Sequence, residues 1–285
     1  MKLLTYYENH SLKTGVKTSH GIVDISNVGT MHEIIADKVK LEQARTAAEQ
    51  SDHYLDETKL QLGPCVPDPG KIICVGLNYR KHAEETNASI PQYPILFNKF
   101  NNTVAACGDD IALPVKVTSE VDYEAELVIV IGKAAKYVDK DQALAHVFGY
   151  CNVNDLSARD LQMRTQQWLL GKSCDGFSPL GPYLVTADEV GNPNQLAISC
   201  TVNGEVRQSS NTSDMIFYCD EIVSYISQHM SLAPGDIILT GTPEGVVLGL
   251  PPEERVYLQD GDIVTIEIEG LGKLTNRMVN EMIRE

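Results

Sequence analysis

Long apolar runs are missing from this chain: no stretch of its 285 residues approaches the roughly 20 apolar residues that a membrane-spanning helix needs. The opening Met1-Lys2-Leu3-Leu4-Thr5-Tyr6-Tyr7 has no signal-peptide pattern, so the expectation is a cytoplasmic protein. Paired cysteines are missing too. The seven present (Cys65, Cys74, Cys107, Cys151, Cys174, Cys200 and Cys219) are odd in number and scattered, with no C-x-x-C and no histidine at zinc-ligand spacing. That excludes a disulfide scaffold and a zinc site, and the expectation is reduced, mostly buried thiols. Basic residues are few: 23 Lys and Arg against 39 Asp and Glu give a formal charge of −16 and a pI near 4.8. Without a basic stripe, nucleic acid is excluded as a partner. Internal repeats, low-complexity tracts and heptads are absent as well.

What is present is length enough for one large domain, or a large and a small one, around a sizeable core. Residues 2–7 and 16–25 read as strands of a hairpin, with a turn near His20-Gly21, and residues 31–50 read as a helix. Val66-Pro67-Asp68-Pro69-Gly70 then breaks the chain and marks the boundary between a small N-terminal domain (1–65) and a catalytic domain (71–285). Short β-branched runs at 71–75, 128–131, 147–153, 196–202, 236–240 and 263–268 predict strands, and Asn203-Gly204 predicts a tight hairpin. Helices are expected at 79–86, at 140–146 capped by Asp139, at 158–167 and at 219–229. The fold class that follows is α+β, rich in β.

Chemistry enters at Tyr123-Glu124-Ala125-Glu126, where a buried-strand pattern begins with two carboxylates two residues apart. Side chains at i and i+2 of a strand share a face about 6 to 7 Å apart, so both can reach one point. Alone, such a pair is also what a solvated strand end looks like. Asp155 follows another apolar strand and supplies a third carboxylate, provided that Ser157 caps the next helix and leaves Asp155 free. Three carboxylates suit a hard divalent ion, Mg2+ or Mn2+, with part of its shell open to a chelating substrate. The three charges and a divalent ion sum to −1, which Lys172, in the Gly/Pro-dense stretch 171–182, can balance. His82 and Glu85, three apart on a predicted helix, form a candidate base dyad. The hydroxyls and amides of Thr240-Gly241-Thr242-Pro243-Glu244-Gly245-Val246 can hold a substrate carboxylate, or form a plain turn.

Taken in order, Gly76-Leu77-Asn78-Tyr79 with His82, Glu124-x-Glu126-Leu127, Asn154-Asp155 with Ser157-Ala158-Arg159-Asp160-Leu161-Gln162, Gly171-Lys172-Ser173 and Gly241-Thr242-Pro243-x-Gly245-Val246 resemble the fumarylacetoacetate hydrolase family, in its compact bacterial form. The resemblance covers about residues 71–280. It implies a mixed β-sandwich roll with a small N-terminal α/β domain, a homodimer, and Mg2+ or Mn2+ held by Glu124, Glu126 and Asp155. It also implies a lid carrying His82 and Glu85, Lys172 on a substrate carbonyl or oxyanion, and Arg159, Gln162 and Thr242 near the substrate. Asp122 is outside the family's ligand positions and falls to a supporting place or to solvent. Lys99, in a loop that departs from the family by lacking a proline, is a candidate substrate contact.

The activity expected from this set is metal-dependent hydrolysis of a carbon–carbon bond in a small 2-oxo or 1,3-dicarbonyl acid, with His82 activating water. Decarboxylation of oxaloacetate or isomerisation of an oxo acid at the same site is the alternative. A catalytically silent binding protein is a further one, and the retained polar motifs count against it.

Overall fold

The β-branched runs form strands, and the computed structural model, which describes residues 1–282, arranges them in two main sheets and a short ribbon. The chain opens with β1 (Lys2–Glu8), β2 (Ser11–Lys17), β3 (Ile22–Asp24), helices α1 (Met31–Ala36) and α2 (Lys38–Gln50), and β4 (Gln61–Gly63). Next come β5 (Ile72–Gly76), α3 (Arg80–Glu85), β6 (Ile95–Lys99), β7 (Val104–Ala106), β8 (Asp110–Leu113), β9 (Val121–Asp122) and β10 (Ala125–Ile131). Helix α4 (Lys140–Ala143) leads to β11 (Val147–Asn154), β12 (Ser157–Ala158), α5 (Arg159–Gln162), α6 (Leu169–Lys172), β13 (Ser178–Thr186) and α7 (Ala187–Val190). The chain closes with β14 (Ala197–Val202), β15 (Glu205–Asn211), α8 (Cys219–His229), β16 (Ile237–Leu239), β17 (Ile263–Ile268) and β18 (Gly272–Asn280).

The large sheet has eleven strands in the order β3-β2-β1-β13-β11-β10-β16-β5-β6, with β4 added on β1 and β7 on β13. A five-stranded sheet, β15-β14-β17-β18-β8, packs on one of its faces. β10 explains the layering. All its side chains are buried, because Leu127, Ile129 and Ile131 enter a core with Ile198, Ile266 and Ile222, while Val128 and Val130 enter another with Ile34, Ile35 and Phe148. A strand covered on both faces reads as a continuous apolar run rather than an alternating one. The fold is α+β and rich in β. β1 pairs with β13 (Lys2↔Val185, Leu3↔Leu184), so the large sheet runs across the Pro/Gly segment at 66–70.

Several local expectations change. The chain turns at Asn9-His10, both at positive φ, between β1 and β2, in addition to the expected turn near His20-Gly21, which joins β2 to β3 with the Thr18 N–H donating to the Gly21 carbonyl at 2.9 Å. The helix expected over 31–50 breaks at Asp37, which is extended (φ −129°, ψ 112°) and accepts the Val39 N–H to cap α2. Asp139 makes no side-chain cap on α4. Ser157 lies in β12 and donates to the Asp155 carbonyl at 2.9 Å, so it caps nothing, and α5 starts after Ala158 and lasts four residues. The Gly/Pro-dense stretch around Lys172 is mostly ordered, ending α6 and forming β13.

Candidate active site

Strand direction gathers the site. β10 is antiparallel to β11 and β16, and β16 is parallel to β5, so the start of β10 meets the ends of the other three. On β10 the face carrying Val130 and Val128 continues outward to Glu126 and Glu124; on β11 the face carrying Cys151 and Val153 continues to Asp155. Apolar side chains thus give way to carboxylates where the strands leave the core. The Asp155 N–H donates to the Glu124 carbonyl at 2.9 Å, and Asn154 Oδ1 accepts the Glu124 N–H at 3.0 Å, extending the pairing by one step. Glu124, Glu126 and Asp155 each present an oxygen within 4.8 Å of the other two. All three are buried.

Such a cluster is untenable without positive charge, and the protein supplies three cations of its own. Lys172 Nζ lies 2.7 Å from both Glu124 Oε2 and Asp155 Oδ2. Arg159 Nη1 lies 2.8 Å from Glu124 Oε1, and Lys99 pairs with the other oxygen of Asp155 and donates to the Phe177 carbonyl at 2.6 Å. Lys99 is therefore buried under the carboxylates and is not a substrate contact, which corrects the expectation. Burial pushes the Glu124 carboxyl up, but Lys172 and Arg159 outweigh it and hold it at about 2. Glu126 goes the other way. Burial, then the Asp155 and Glu124 carboxylates, raise it well above the usual range against the pull of Lys172 and the Gly241 N–H. Burial lowers Lys172, yet Asp155 and Glu124 more than reverse this and keep it cationic.

The donor set fits a hard divalent cation. Three carboxylates converge, and among the described residues three cations neutralise Asp122, Glu124 and Asp155, which leaves Glu126 as the group whose charge lacks a cation of its own. A divalent ion would supply it. With Glu126 ionised, three fixed cations plus the ion exceed the four carboxylates by one positive charge, which suits an anionic substrate better than the balance expected from Lys172 alone.

A cavity of about 240 Å3 opens beside the cluster, lined by Glu124, Glu126, Lys172, Arg159, Gln162 and Thr242 on its polar side. Its apolar wall includes Phe97 and Trp168, whose rings meet edge-on at 5.3 Å. His82 faces the same cavity from α3, with Nδ1 2.7 Å from Glu85 Oε1, so the dyad expected from spacing forms. Gly245 N–H donates to Glu85 Oε2 at 3.0 Å, tying the dyad to the loop after β16. In that loop Gly241 has φ +94°, a left-handed value glycine takes freely, and its N–H reaches Glu126 Oε2 at 2.7 Å. A Cβ there would lie 2.7 Å from the Asn78 Cβ and 2.9 Å from the Val75 carbonyl oxygen.

Thr242 donates to the Ala125 carbonyl at 3.0 Å and accepts from Gln208 Nε2 at 2.8 Å, so its hydroxyl is engaged within the protein. Asp122 is fully buried, which settles its supporting place: its carboxylate clamps Arg159 at 2.8 Å. Sequence reasoning missed Gln208 and the tasks of Asn78 and Lys99. Gln208 crosses from the small sheet to the Ala125 N–H (2.9 Å), and Asn78 bonds the Thr240 (2.7 Å) and Phe217 (3.0 Å) carbonyls. One signal was available: a lysine closing a strand that opens with Ile95-Leu96-Phe97.

Residues 71–279 match the family model described as the fumarylacetoacetate hydrolase C-terminal domain. Among curated proteins, the chain is 50% identical over 217 residues to an oxaloacetate tautomerase of Bos taurus, FAHD2A, mitochondrial, covering 75% of this chain and 68% of the relative. It is 45% identical over 242 residues to the FAHD2A of Homo sapiens, covering 84% and 76%. Among solved structures, a fumarylacetoacetate hydrolase from Exiguobacterium antarcticum superposes with TM-score 0.83 at 33% identity, covering 99% of this chain and all of the other. A maleylpyruvate hydrolase from Sphingobium, solved with manganese(II) and pyruvate, gives TM-score 0.84 at 30% identity over 99% of this chain and all of the other. With its ordered motifs, its buried carboxylate cluster and this match over residues 71–279, the chain belongs to the fumarylacetoacetate hydrolase family.

Proposed function

We propose that this chain is a metal-dependent enzyme that shifts a proton within a small 2-oxo acid, interconverting the enol and keto forms of a 2-oxo dicarboxylic acid of the oxaloacetate class. The observation that carries the reading is the placement of His82, oriented by Glu85, in the wall of the cavity that Glu124 and Glu126 also line. Support comes from the similarity over three quarters or more of the chain to proteins named oxaloacetate tautomerases. Proton transfer thereby moves ahead of carbon–carbon hydrolysis.

Glu124, Glu126 and Asp155 would hold Mg2+ or Mn2+, and such an ion supplies polarisation of the 2-oxo group and compensation of the negative charge that develops there. His82 does the proton work. With Nδ1 occupied by Glu85, Nε2 is the ring atom that takes a proton from the carbon next to the carbonyl and returns one to the oxygen. Glu85, fixed by the Gly245 N–H, keeps the imidazole in one orientation. Lys172 and Arg159 offset negative charge without leaving their carboxylates, and Gln162 lines the cavity beside them. Phe97, Trp168, Leu77 and Leu248 keep the wall dry.

Hydrolysis of a carbon–carbon bond is the second reading. It is favoured by the similarity to the maleylpyruvate hydrolase, and the dyad can equally deprotonate a water. A product assay with Mn2+ or Mg2+ separates the activities. Faster decay of enol oxaloacetate with no pyruvate formed supports tautomerisation, carbon dioxide and pyruvate from oxaloacetate identify decarboxylation, and two acids from an acylpyruvate identify hydrolysis. Full activity in metal-free protein would overturn all three. The homodimer is part of the proposal, with β6 at the open edge of the large sheet as the associating region.

A further inference from the structure

Asp122 is a fully buried carboxylate surrounded by more donors than any capping role requires. Oδ1 accepts the N–H groups of Tyr123 (2.9 Å) and Val247 (3.0 Å). Oδ2 accepts Arg159 Nε (2.8 Å) and the Leu248 N–H (3.0 Å), with Arg159 Nη2 also at 2.8 Å. Two branches leave this point. Along one, Arg159 extends Nη1 to Glu124 Oε1 (2.8 Å) and to Gln162 Oε1 (2.9 Å), so the guanidinium that Asp122 orients decides where the Glu124 carboxylate sits. Along the other, Val247 and Leu248 belong to the 3-10 turn Val247–Gly249, one residue beyond the Gly245 that holds Glu85. That turn also touches Glu85 at its far end: a Cβ built on Gly249 would lie 2.6 Å from the Glu85 carboxyl carbon and 2.8 and 2.9 Å from its oxygens. Glu85 in turn holds His82.

We propose that Asp122 is a positioning residue that sets the metal carboxylates and the base dyad together, so that neither can be displaced without moving the other. It touches neither a reacting atom nor a metal ligand; it acts through Arg159 in one direction and through the 245–249 turn in the other. A carboxylate is required because every neighbour of its two oxygens is a donor. An amide has one acceptor oxygen, and its NH2 would point either at the Arg159 guanidinium and the Leu248 N–H or at the Tyr123 and Val247 N–H groups. The inference rests on the metal-and-dyad reading of the site.

The test is Asp122→Asn, with the fold verified by circular dichroism and thermal unfolding, Mn2+ affinity measured by calorimetry and electron paramagnetic resonance, and kcat and KM measured at saturating Mn2+. We expect Mn2+ affinity to fall about tenfold or more, as for groups that orient metal ligands. We also expect kcat to fall about tenfold or more at saturating Mn2+, with KM changing less. A folded variant with either Mn2+ affinity or kcat of the wild type overturns the inference. Gly249→Ala is the independent variant, and it decides the matter if the asparagine variant does not fold. Its new methyl presses on Glu85 and displaces the turn, so kcat falls; if the turn and Arg159 share Asp122, Mn2+ affinity also falls about threefold or more. Unchanged Mn2+ affinity in folded Gly249→Ala overturns the coupling. Wild-type protein that binds no Mn2+ removes the metal reading and this inference together, whereas wild-type turnover with metal and an unaffected variant removes this inference alone.

Discussion

Deleting the ammonium of Lys99 leaves Asp155 with one oxygen facing no cation in a fully buried setting. Removing one partner of a buried pair costs about 3 to 5 kcal/mol, and because Lys172 still holds the other oxygen the lower end applies here. Lys99→Ala should therefore lose about 3 kcal/mol in urea unfolding of the metal-free protein, and a loss under about 1 kcal/mol would show that Lys99 carries little of the Asp155 charge. Glu124→Ala or Asp155→Ala should abolish both Mn2+ binding and turnover. His82→Ala should keep Mn2+ affinity within about threefold of the wild type while turnover falls by at least a hundredfold, the usual scale of a lost acid–base group. Equal loss of metal binding in His82→Ala would mean that the histidine belongs to the ion rather than to the substrate. The two glutamates were legible because their spacing alone sets their shared face. Lys99 and Asp122 were not, because their partners Asp155 and Arg159 lie 56 and 37 residues away and only the strand pairings bring them close.

Strand ends carry the carboxylates of the site and short helices carry His82, Arg159 and Lys172, and the fit between the end of β5 and the residue before α6 can be tested. Gly76 ends β5 against the indole of Trp168, and a Cβ there would lie 2.8 Å from its Cη2. Gly76→Ala should push the indole into the cavity, cost about 1 to 3 kcal/mol, and shift the emission of the chain's single tryptophan. An unchanged emission maximum with wild-type stability would show that the wall is soft. The strands were legible from their β-branched runs, and the hairpin from Asn203-Gly204, both of which take positive φ. The helices were less so. Residues 158–167 stop being helical after Gln162, as the exposed segment beyond it has no apolar face to bury, and Asp37 prefers capping a new helix to continuing the old one.

At the scale of the molecule, family membership was legible because five short motifs occur in order, although none would serve alone. What the motifs could not convey was how many internal cations they imply, since Arg159 and Lys99 each reach the cluster only through the folded sheet. The edge strand β6 leaves Ile95 exposed, with Ile90 and Tyr93 exposed just before it and Phe100 just after it. An uncovered edge with large apolar side chains favours association. Light scattering should give about twice the chain's 31.3 kDa, and Phe100→Lys should shift the mass toward one chain; a wild-type mass of one chain at micromolar concentration would refute the dimer. The three internal cations carry a further consequence. Domains whose ligands are unsatisfied without their ion unfold when it is stripped, but here Lys172, Lys99 and Arg159 already stand beside the carboxylates. On the proposed metal reading, an ion held here would exchange with a surrounding pool while the scaffold stays intact, and its identity would follow the relative supply of Mg2+ and Mn2+ rather than the act of folding.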